Sequence, residues 1–440
     1  MRCDNSFCKA LGGWALLAGA GIGQQWPSGF HGYTFTPPRE LATFDFATIN
    51  FNSVTAAANQ GQSVLVALNL QLLTKSNESE PHYMLSLDGG DTFSAPASLW
   101  ASPWSPLNTE PVAFSDAFDN LYVLFEDGFD PRRGGLLLLW SRDGGRTFSD
   151  AIPVDLDLRR AGVLPRIFVD DRGVVHVAYM RKVAPDYVVQ ATYRHSLVPV
   201  DTSGGTFRLP GGGQGSERAW PLAFSPPTRI GRERFVSGSQ DIAVDLSGRV
   251  WATYTEINAS GVQLFLSRFN GRRFVDRVQL ALSLLGPTAC SFVRGRTGQF
   301  FFVFYAADPI TFCDDMFFVT STDGGQTLSD PLNLTNDCPF EGLSRARHCA
   351  LDKDDDLFVG YASNKRDPGR LRSDLYLQIS DDGGRKFTAP AIVPPGIPPW
   401  LHGPATFTVA PDGTLHLFWG DYSLATPGFE GLWYSRGKRE

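Results

Sequence analysis

Two carboxylic acids in this 440-residue chain, Glu110 and Asp241, stand at the start of short apolar segments typical of β-strands. When the repeats of the chain are aligned, the two residues occupy equivalent positions two repeats apart. Acid/base cleavage of a glycosidic bond requires two carboxyl groups roughly 5–10 Å apart. We therefore take Glu110 and Asp241 as the candidate catalytic pair, expected to face each other across part of a central channel.

Several other side chains align with this pair, or lie beside the aligned positions or in the connections between repeats, and could bind a ligand. Arginine can hold a carboxylate or phosphate through two parallel hydrogen bonds, and tryptophan can stack on the apolar faces of sugar rings. The candidate binding residues are Arg166, Arg345, Arg347, His348, Trp400 and His402, with Cys290 in the same aligned position. The alternative is that these polar groups only line a water-filled channel and satisfy one another, while tryptophans fill the space between repeats.

A turn motif of eight residues recurs along the chain and must position these side chains. It begins with Ser, contains Asp-Gly-Gly and ends in Phe or Leu, and the copies cover 86–93, 141–148, 321–328 and 380–387. The glycines supply the positive-φ residues of a tight turn, and the Asp and Ser side chains can bond nearby backbone N–H groups. Two weaker copies cover 203–207 and 267–274. The chain is therefore predicted to be a repeat protein.

A second pattern precedes each turn: an apolar strand, a polar turn and a second strand rich in β-branched and aromatic residues. Seven copies occur, starting near Asn52, Val112, Ile167, Ile242, Ser291, Cys349 and Phe407. Together with the strands on either side of the glycine turn, each unit has four antiparallel strands, which is the blade of a β-propeller.

The two ends of the chain complement each other. The C-terminal segment 432–437 resembles a third strand with half of a glycine turn, and Gly32–Pro38 resembles the missing half with a fourth strand. We predict that residues 33–42 complete the last blade and so remove two exposed sheet edges. The predicted fold is all-β, a seven-bladed β-propeller of four-stranded antiparallel blades closed by an N-terminal strand, and one domain covers 25–440.

The glycine turn is similar to the Asp-box of the Asp-box (BNR) repeat β-propellers, a grouping that includes sialidases and other glycoside hydrolases. The resemblance covers nearly the whole chain through its repeats. It implies that Ser141, Asp143 and their equivalents are structural residues on the face opposite the active site. It also implies a sialidase-like protein that binds, and hydrolyses, glycans at the channel mouth.

The sialidase catalytic motifs themselves are not recognisable. An Arg-Ile-Pro motif is absent, and Pro165-Arg166-Ile167 has a different order. The segment Asp421–Leu424 is similar to the part of a sialidase that carries the nucleophilic tyrosine, but it follows a second strand. Fold-level analogy does not supply a function, so the alternative is a non-catalytic propeller that serves as a scaffold for protein partners or for assembly.

The net charge of −7, without a basic block, argues against a nucleic-acid partner. The expected ligand is a glycan or another small anion, bound by a monomer without a cofactor or metal. Residues 1–24 resemble a secretory signal with a short apolar region, which predicts a secreted or periplasmic protein, and the alternative is a disordered leader. No later segment is apolar for the ~20 residues of a membrane span.

Four cysteines outside the leader, Cys290, Cys313, Cys338 and Cys349, lie in one quarter of the chain. An even number in an exported protein predicts two disulfides, with three connectivities open. Buried thiols are the alternative.

Overall fold

The computed structural model describes residues 32–45, 49–72, 78–100, 111–130, 133–156, 163–183, 188–200, 223–231, 240–259, 261–311, 314–335, 349–363, 374–393, 405–422 and 429–439. These residues form 29 β-strands and no helix. In particular, this part of the chain contains no helix with the length and hydropathy needed to cross a membrane.

The strands follow one another in the order in which the repeats predict them. They are β1 (Tyr33–Phe35), β2 (Arg39–Asp45), β3 (Ile49–Ala58), β4 (Val64–Leu72), β5 (Glu78–Ser86), β6 (Ala97–Ser98), β7 (Val112–Ser115), β8 (Leu121–Asp130), β9 (Arg133–Ser141), β10 (Ile152–Asp155), β11 (Val163–Val169), β12 (Val175–Val183), β13 (Val188–His195), β14 (Thr228–Arg229), β15 (Gln240–Val244), β16 (Val250–Asn258), β17 (Gly261–Phe269), β18 (Phe274–Gln279), β19 (Leu285–Arg294), β20 (Phe300–Ala307), β21 (Asp314–Ser321), β22 (Leu332–Asn333), β23 (Cys349–Leu351), β24 (Leu357–Ser363), β25 (Asp374–Ser380), β26 (Ala391–Ile392), β27 (Ala405–Val409), β28 (Leu415–Tyr422) and β29 (Phe429–Arg439).

Seven antiparallel sheets are built from these strands. Blades one to six are β3–β6, β7–β10, β11–β14, β15–β18, β19–β22 and β23–β26, each with four strands. The first strands of neighbouring blades contact one another all the way round, including β27 with β3. The molecule is therefore a seven-bladed propeller whose first strands surround the axis, as the repeats predict.

The seventh blade joins the two ends of the chain. Strands β27, β28 and β29 are completed by β1, and β2 also pairs with β29. In the register, Tyr33 lies opposite Arg439 and Arg39 opposite Tyr434. The prediction that residues 33–42 close the ring is confirmed.

The hydrophobic core lies between blades. In β20, Phe300, Phe302 and Phe304 pack towards the fourth blade, and the alternating residues Phe301, Val303 and Tyr305 pack towards the sixth. Both faces of a second strand are thus covered, which explains why these strands are continuous apolar runs rather than alternating ones.

The four complete glycine turns have one structure. In the first, Ser86 Oγ donates to Asp88 Oδ1 at 2.7 Å, and Thr92 N and Oγ1 donate to the two Asp88 oxygens at 2.9 and 2.6 Å. The side-chain hydrogen bond from Thr92 is the largest of the interactions that lower the pKa of Asp88 to about 2. The motif residues therefore hold the turn together, as expected.

The two weaker copies of the turn have different outcomes. In the fourth blade, Ser267 pairs with Ala252 inside the strand, and the Asn270 side chain accepts the N–H groups of Arg272 and Arg273 instead. The alignment of Ser267 with the motif serine was therefore wrong, because the fourth blade turns around an asparagine. The other copy, 203–207, lies outside the described residues.

The two predicted disulfides are not supported. Cys290 and Cys349 are buried thiols. Cys290 packs in the core between the fourth and fifth blades, and Cys349 packs in the next core round the ring. Cys313 and Cys338 lie outside the described residues. Burial of each thiol among apolar side chains explains these two cysteines without a covalent role.

Candidate functional site

The structure describes three of the nine residues that were aligned or nominated from the sequence. Glu110, Arg345, Arg347, His348, Trp400 and His402 lie outside the described residues, so the separation of Glu110 from Asp241 is not part of the description. Arg166, Asp241 and Cys290 are described, and they lie within β11, β15 and β19, the first strands of three successive blades.

The Asp241 carboxylate connects two blades. It is fully buried, and its Oδ2 accepts the backbone N–H of Phe292, on β19, at 2.9 Å. Its Oδ1 accepts the N–H of Ile242 at 2.9 Å, and its own N–H donates to Thr253 Oγ1 at 3.0 Å. Because buried polar groups are costly unless hydrogen-bonded, these contacts explain how a carboxylate is accommodated inside the ring.

Arg166 and Cys290 belong to the same cluster. Burial raises the pKa of the Cys290 thiol, the Asp241 carboxylate raises it further, and Arg166 opposes them. The Arg166 side chain is half-buried, and its Nη1 donates to the carbonyl of Pro165 at 3.1 Å. The structure therefore brings three of the aligned residues close to one another, on the first strands of neighbouring blades.

The burial of Asp241 and the partial exposure of Arg166 determine what each residue can do in a binding site. Asp241 is enclosed and holds two backbone N–H groups, so it is placed to anchor the wall and to supply negative charge beside Arg166. Arg166 is the more accessible of the two, and a guanidinium on a channel wall can pair with a carboxylate or sulfate. The described part of the site is suited to binding an anion.

A second charged network, which the repeat alignment missed, joins the second and third blades. Tyr179 donates its hydroxyl to Asp155 Oδ2 at 2.5 Å, and Arg194 donates to the carbonyl of Val154 at 2.7 Å. Arg181 and Arg194 lie 3.6 and 3.5 Å from the Asp155 carboxylate. Burial raises the pKa of Tyr179 well above its usual range, and the Asp155 carboxylate adds to the effect. The sequence carried no signal for this network, because its residues come from a fourth strand of one blade and the second and third strands of the next.

A third buried carboxylate, Glu256, lies near the end of β16. It is fully buried and forms an ion pair with Arg277. The Arg277 guanidinium lies 3.6 Å from the centre of the Phe265 ring, which is within the range of a cation–π contact. Glu256 lies on a second strand, whereas the candidate residues were aligned on the first strands, so that alignment did not single it out.

Comparison with known proteins gives the fold. No protein-family model matches the chain, and no curated protein matches it. Among solved structures, the polysaccharide lyase PL25 ulvan lyase, bound to -[GlcA(1-4)Rha3S]-, is similar with a TM-score of 0.54 and 11% identity, over 89% of this chain and 94% of that one.

Two further structures are similar to the same degree. The polysaccharide lyase Uly1 has a TM-score of 0.53 and 8% identity, over 88% of this chain and 90% of that one. A protein of unknown function from Dyadobacter fermentans has a TM-score of 0.52 and 9% identity, over 93% of this chain and 100% of that one. At such identities the likeness concerns the fold alone, so this chain shares a propeller architecture with polysaccharide lyases.

Proposed function

We propose that the protein binds an acidic glycan at the channel mouth where the first strands begin. The observation that carries the proposal is that Arg166, Asp241 and Cys290 lie on the first strands of three successive blades, near enough for the charges of Arg166 and Asp241 to act on the Cys290 thiol. The shared architecture with polysaccharide lyases, one of them bound to a glucuronate-containing segment, supports a glycan as the ligand.

The acidic character of the ligand follows from the charge of the proposed binding residues. Arg166 supplies a guanidinium beside the axis, and Arg345, Arg347 and His348 would add cationic partners from the connection that precedes β23. Trp400 and His402, in the connection before β27, would offer a stacking surface and a polar contact. A carboxylate or sulfate ester is the group that this set of side chains recognises.

Glycoside hydrolysis by Glu110 and Asp241 is the finer part of the proposal. In this part, Glu110 exchanges the proton at the scissile bond, and Asp241 supplies the second carboxylate. The full burial of Asp241 favours an electrostatic role for it and leaves the contact with substrate to Glu110. The proposal also includes export of the chain through residues 1–24, which fractionation of cells that express the chain with and without these residues tests.

Binding is tested with a glycan array that contains uronate, sialylated, sulfated and neutral members. Acidic glycans should bind, Arg166→Gln should weaken binding at least tenfold, and Arg166→Lys should recover part of it. Arg268→Gln, which removes a guanidinium paired with Asp276 on the fourth blade, is the matched control and should change nothing. Equal binding by wild type and Arg166→Gln, or no binding above background, would remove the proposal.

Cleavage is tested separately on the glycans that bind. New reducing ends without an unsaturated sugar indicate hydrolysis, whereas an unsaturated product absorbing in the ultraviolet indicates elimination. Glu110→Gln should abolish hydrolysis while binding persists. Binding without any product would leave a non-catalytic glycan-binding propeller and refute the hydrolase.

A further inference from the structure

Charged residues also stand at or just after the last residues of the strands that carry Arg166, Asp241 and Cys290. Asp170 and Asp245 directly follow β11 and β15, and Arg294 ends β19. Four residues of extended chain separate the two positions on each strand, or about 13 Å at ~3.3 Å per residue. A cleft of about 170 Å³ opens at this far end, lined by Phe168, Asp170, Asp171, Arg172, Val244, Asp245, Leu246, Ser247, Gly248 and Arg294.

Two of the three carboxylates in the cleft are already used by their own turns. Asp170 accepts the N–H groups of Arg172 and Val174, and the Arg172 guanidinium as well, at 2.7–3.0 Å. Asp245 accepts Ser247, Arg249 and Trp251 in the same manner, at 2.6–3.0 Å. These groups hold the turns and balance Arg172 and Arg249, so they leave little capacity for a ligand.

Arg294 is the cation of the cleft that neither Asp170 nor Asp245 pairs with among the described residues. Its side chain is only 14% exposed, and its one ion pair among the described residues is a 3.7 Å contact with Asp171, which is 72% exposed. Its Nε is buried and has no hydrogen-bond acceptor among the residues that the structure describes. An exposed pair of this kind contributes little, whereas a buried guanidinium without full compensation is costly. Among the residues that the structure describes, the charge of Arg294 is therefore under-compensated.

Arg172 adds a second guanidinium to the same cleft. Asp170 fixes it through Nε and Nη2, which leaves Nη1 as a donor. The Arg172 group lies against Gly248, where a Cβ would be 3.4 Å from its central carbon, so the glycine leaves room for it. The Arg172 side chain is 64% exposed, so it lines the open side of the cleft while Arg294 lines the buried side. Two guanidinium groups that line one cleft can share a planar or tetrahedral oxyanion.

We propose that this cleft is a second, independent binding site, for a small oxyanion held by Arg294 and Arg172. The ligand displaces the Asp171 carboxylate from Arg294 and takes its place as counter-ion. The volume equals that of several water molecules at about 30 Å³ each, so an oxyanion fits together with some water. The site goes beyond the proposed function, because its lining does not include Arg166, which lies on β11 four residues before Asp170.

The test measures binding of inorganic sulfate, inorganic phosphate and glucuronate, by calorimetry and thermal shift at constant ionic strength, with chloride as the balancing salt. The two inorganic ions represent a free anion, and glucuronate represents the acidic group of a glycan. Wild type should be stabilised by at least one of them, because a ligand that binds only the folded state raises its stability. Arg294→Gln should weaken binding at least tenfold.

Further variants test whether the anion binds at Arg294 and not elsewhere. Asp171→Asn removes the competing carboxylate and should bind the anion several-fold more tightly. Arg268→Gln removes a guanidinium that pairs with Asp276 outside the cleft, and it should bind as wild type does. Arg166→Gln should leave this binding unchanged, which separates it from the channel-mouth site. Absence of anion-specific stabilisation in wild type, or equal affinity in wild type and Arg294→Gln, would overturn the proposal. If Arg294→Gln does not fold, an unchanged affinity in Asp171→Asn overturns it.

Discussion

Asp241 Oδ2 and the backbone N–H of Phe292 form a 2.9 Å hydrogen bond across the boundary between the fourth and fifth blades. The two residues are 51 positions apart in the chain, and both are buried. A residue nominated for catalysis thus also joins two repeats, and its substitution is expected to affect stability as well as ligand chemistry.

The first prediction concerns this bond. Asp241→Ala leaves the Phe292 N–H buried without its acceptor and should lower the free energy of unfolding by about 2 kcal/mol, as expected for an unsatisfied buried donor. Asp241→Asn keeps an acceptor oxygen, so its free energy of unfolding should fall by less than that of Asp241→Ala. Denaturant titration of wild type and the two variants measures the loss in the free energy of unfolding for each variant. Equal stability of wild type and Asp241→Ala would show that the hydrogen bond from Phe292 does not stabilise the contact between the two blades.

The second prediction concerns ring closure. Deletion of residues 1–45 removes β1 and β2 and leaves β29 with unpaired backbone groups along one edge, so the protein should melt at a lower temperature and aggregate. Deletion of residues 1–31 keeps both strands and is the matched control. Size-exclusion chromatography and a thermal melt distinguish them, and indistinguishable behaviour of the two deletions would contradict closure by β1 and β2.

The third prediction compares two glycines of the repeated turns. Gly384 has a φ of +84°, and a Cβ there would be 2.3 Å from the Phe318 ring of the preceding blade. Gly324 has a φ of +71° but open space around it. Gly324→Ala should cost about 1 kcal/mol through backbone strain alone, whereas Gly384→Ala should cost at least about 3 kcal/mol because overpacking is added. Equal losses in denaturant titration would show that contact between blades does not matter here.

The fourth prediction concerns acid sensitivity. His416 is buried, and its Nδ1 lies 2.9 Å from the hydroxyl of Tyr434. Burial, assisted by the charge of Arg436, lowers the pKa of His416 to about 3. An unfolded histidine has a pKa of about 6.5, so the unfolded state binds the extra proton between these values. Stability should therefore be full above pH 6.5 and fall as the pH decreases below it, by up to about 1.4 kcal/mol per pH unit.

Substitution tests the assignment of this acid sensitivity. His416→Gln removes the titrating group. Between pH 6 and 4.5 the free energy of unfolding should therefore change less steeply with pH, by about 1.4 kcal/mol per pH unit, which corresponds to one proton. Asp88 and Asp323, with pKa values of about 2, add their own acid sensitivity below about pH 5, and they do so in both wild type and His416→Gln. A slope that is the same in wild type and His416→Gln would assign the effect to other groups, such as His176, whose pKa is also lowered by burial.

The architecture was predictable from the sequence because its signals are local. Asp88 and Ser86 bond within their own turn, so the motif appears in the sequence as a short pattern that repeats. Closure by the N-terminal strand was predictable for a related reason: the turn pattern is split between the two ends of the chain. In the fourth blade, where Asn270 replaces the usual aspartate, the pattern alone gave the wrong register.

The candidate site was only partly predictable, because its contacts run between blades. Alignment of the repeats placed Arg166, Asp241 and Cys290 at equivalent positions, and the structure brings them together. The alignment did not predict the hydrogen bond between Asp241 and Phe292, because neither segment contains a sequence pattern that identifies the other as its partner. The under-compensated charge of Arg294 was likewise invisible, because it depends on the distances to side chains of other blades.

The pairing of Tyr33 with Arg439 has a consequence for engineering. A peptide of a few residues could bridge these neighbours, and new termini could then be placed in a turn of another blade without altering any strand partner. A permuted chain of this kind would keep the same seven sheets, so the blade at which synthesis starts is a matter of gene order rather than a requirement of the ring.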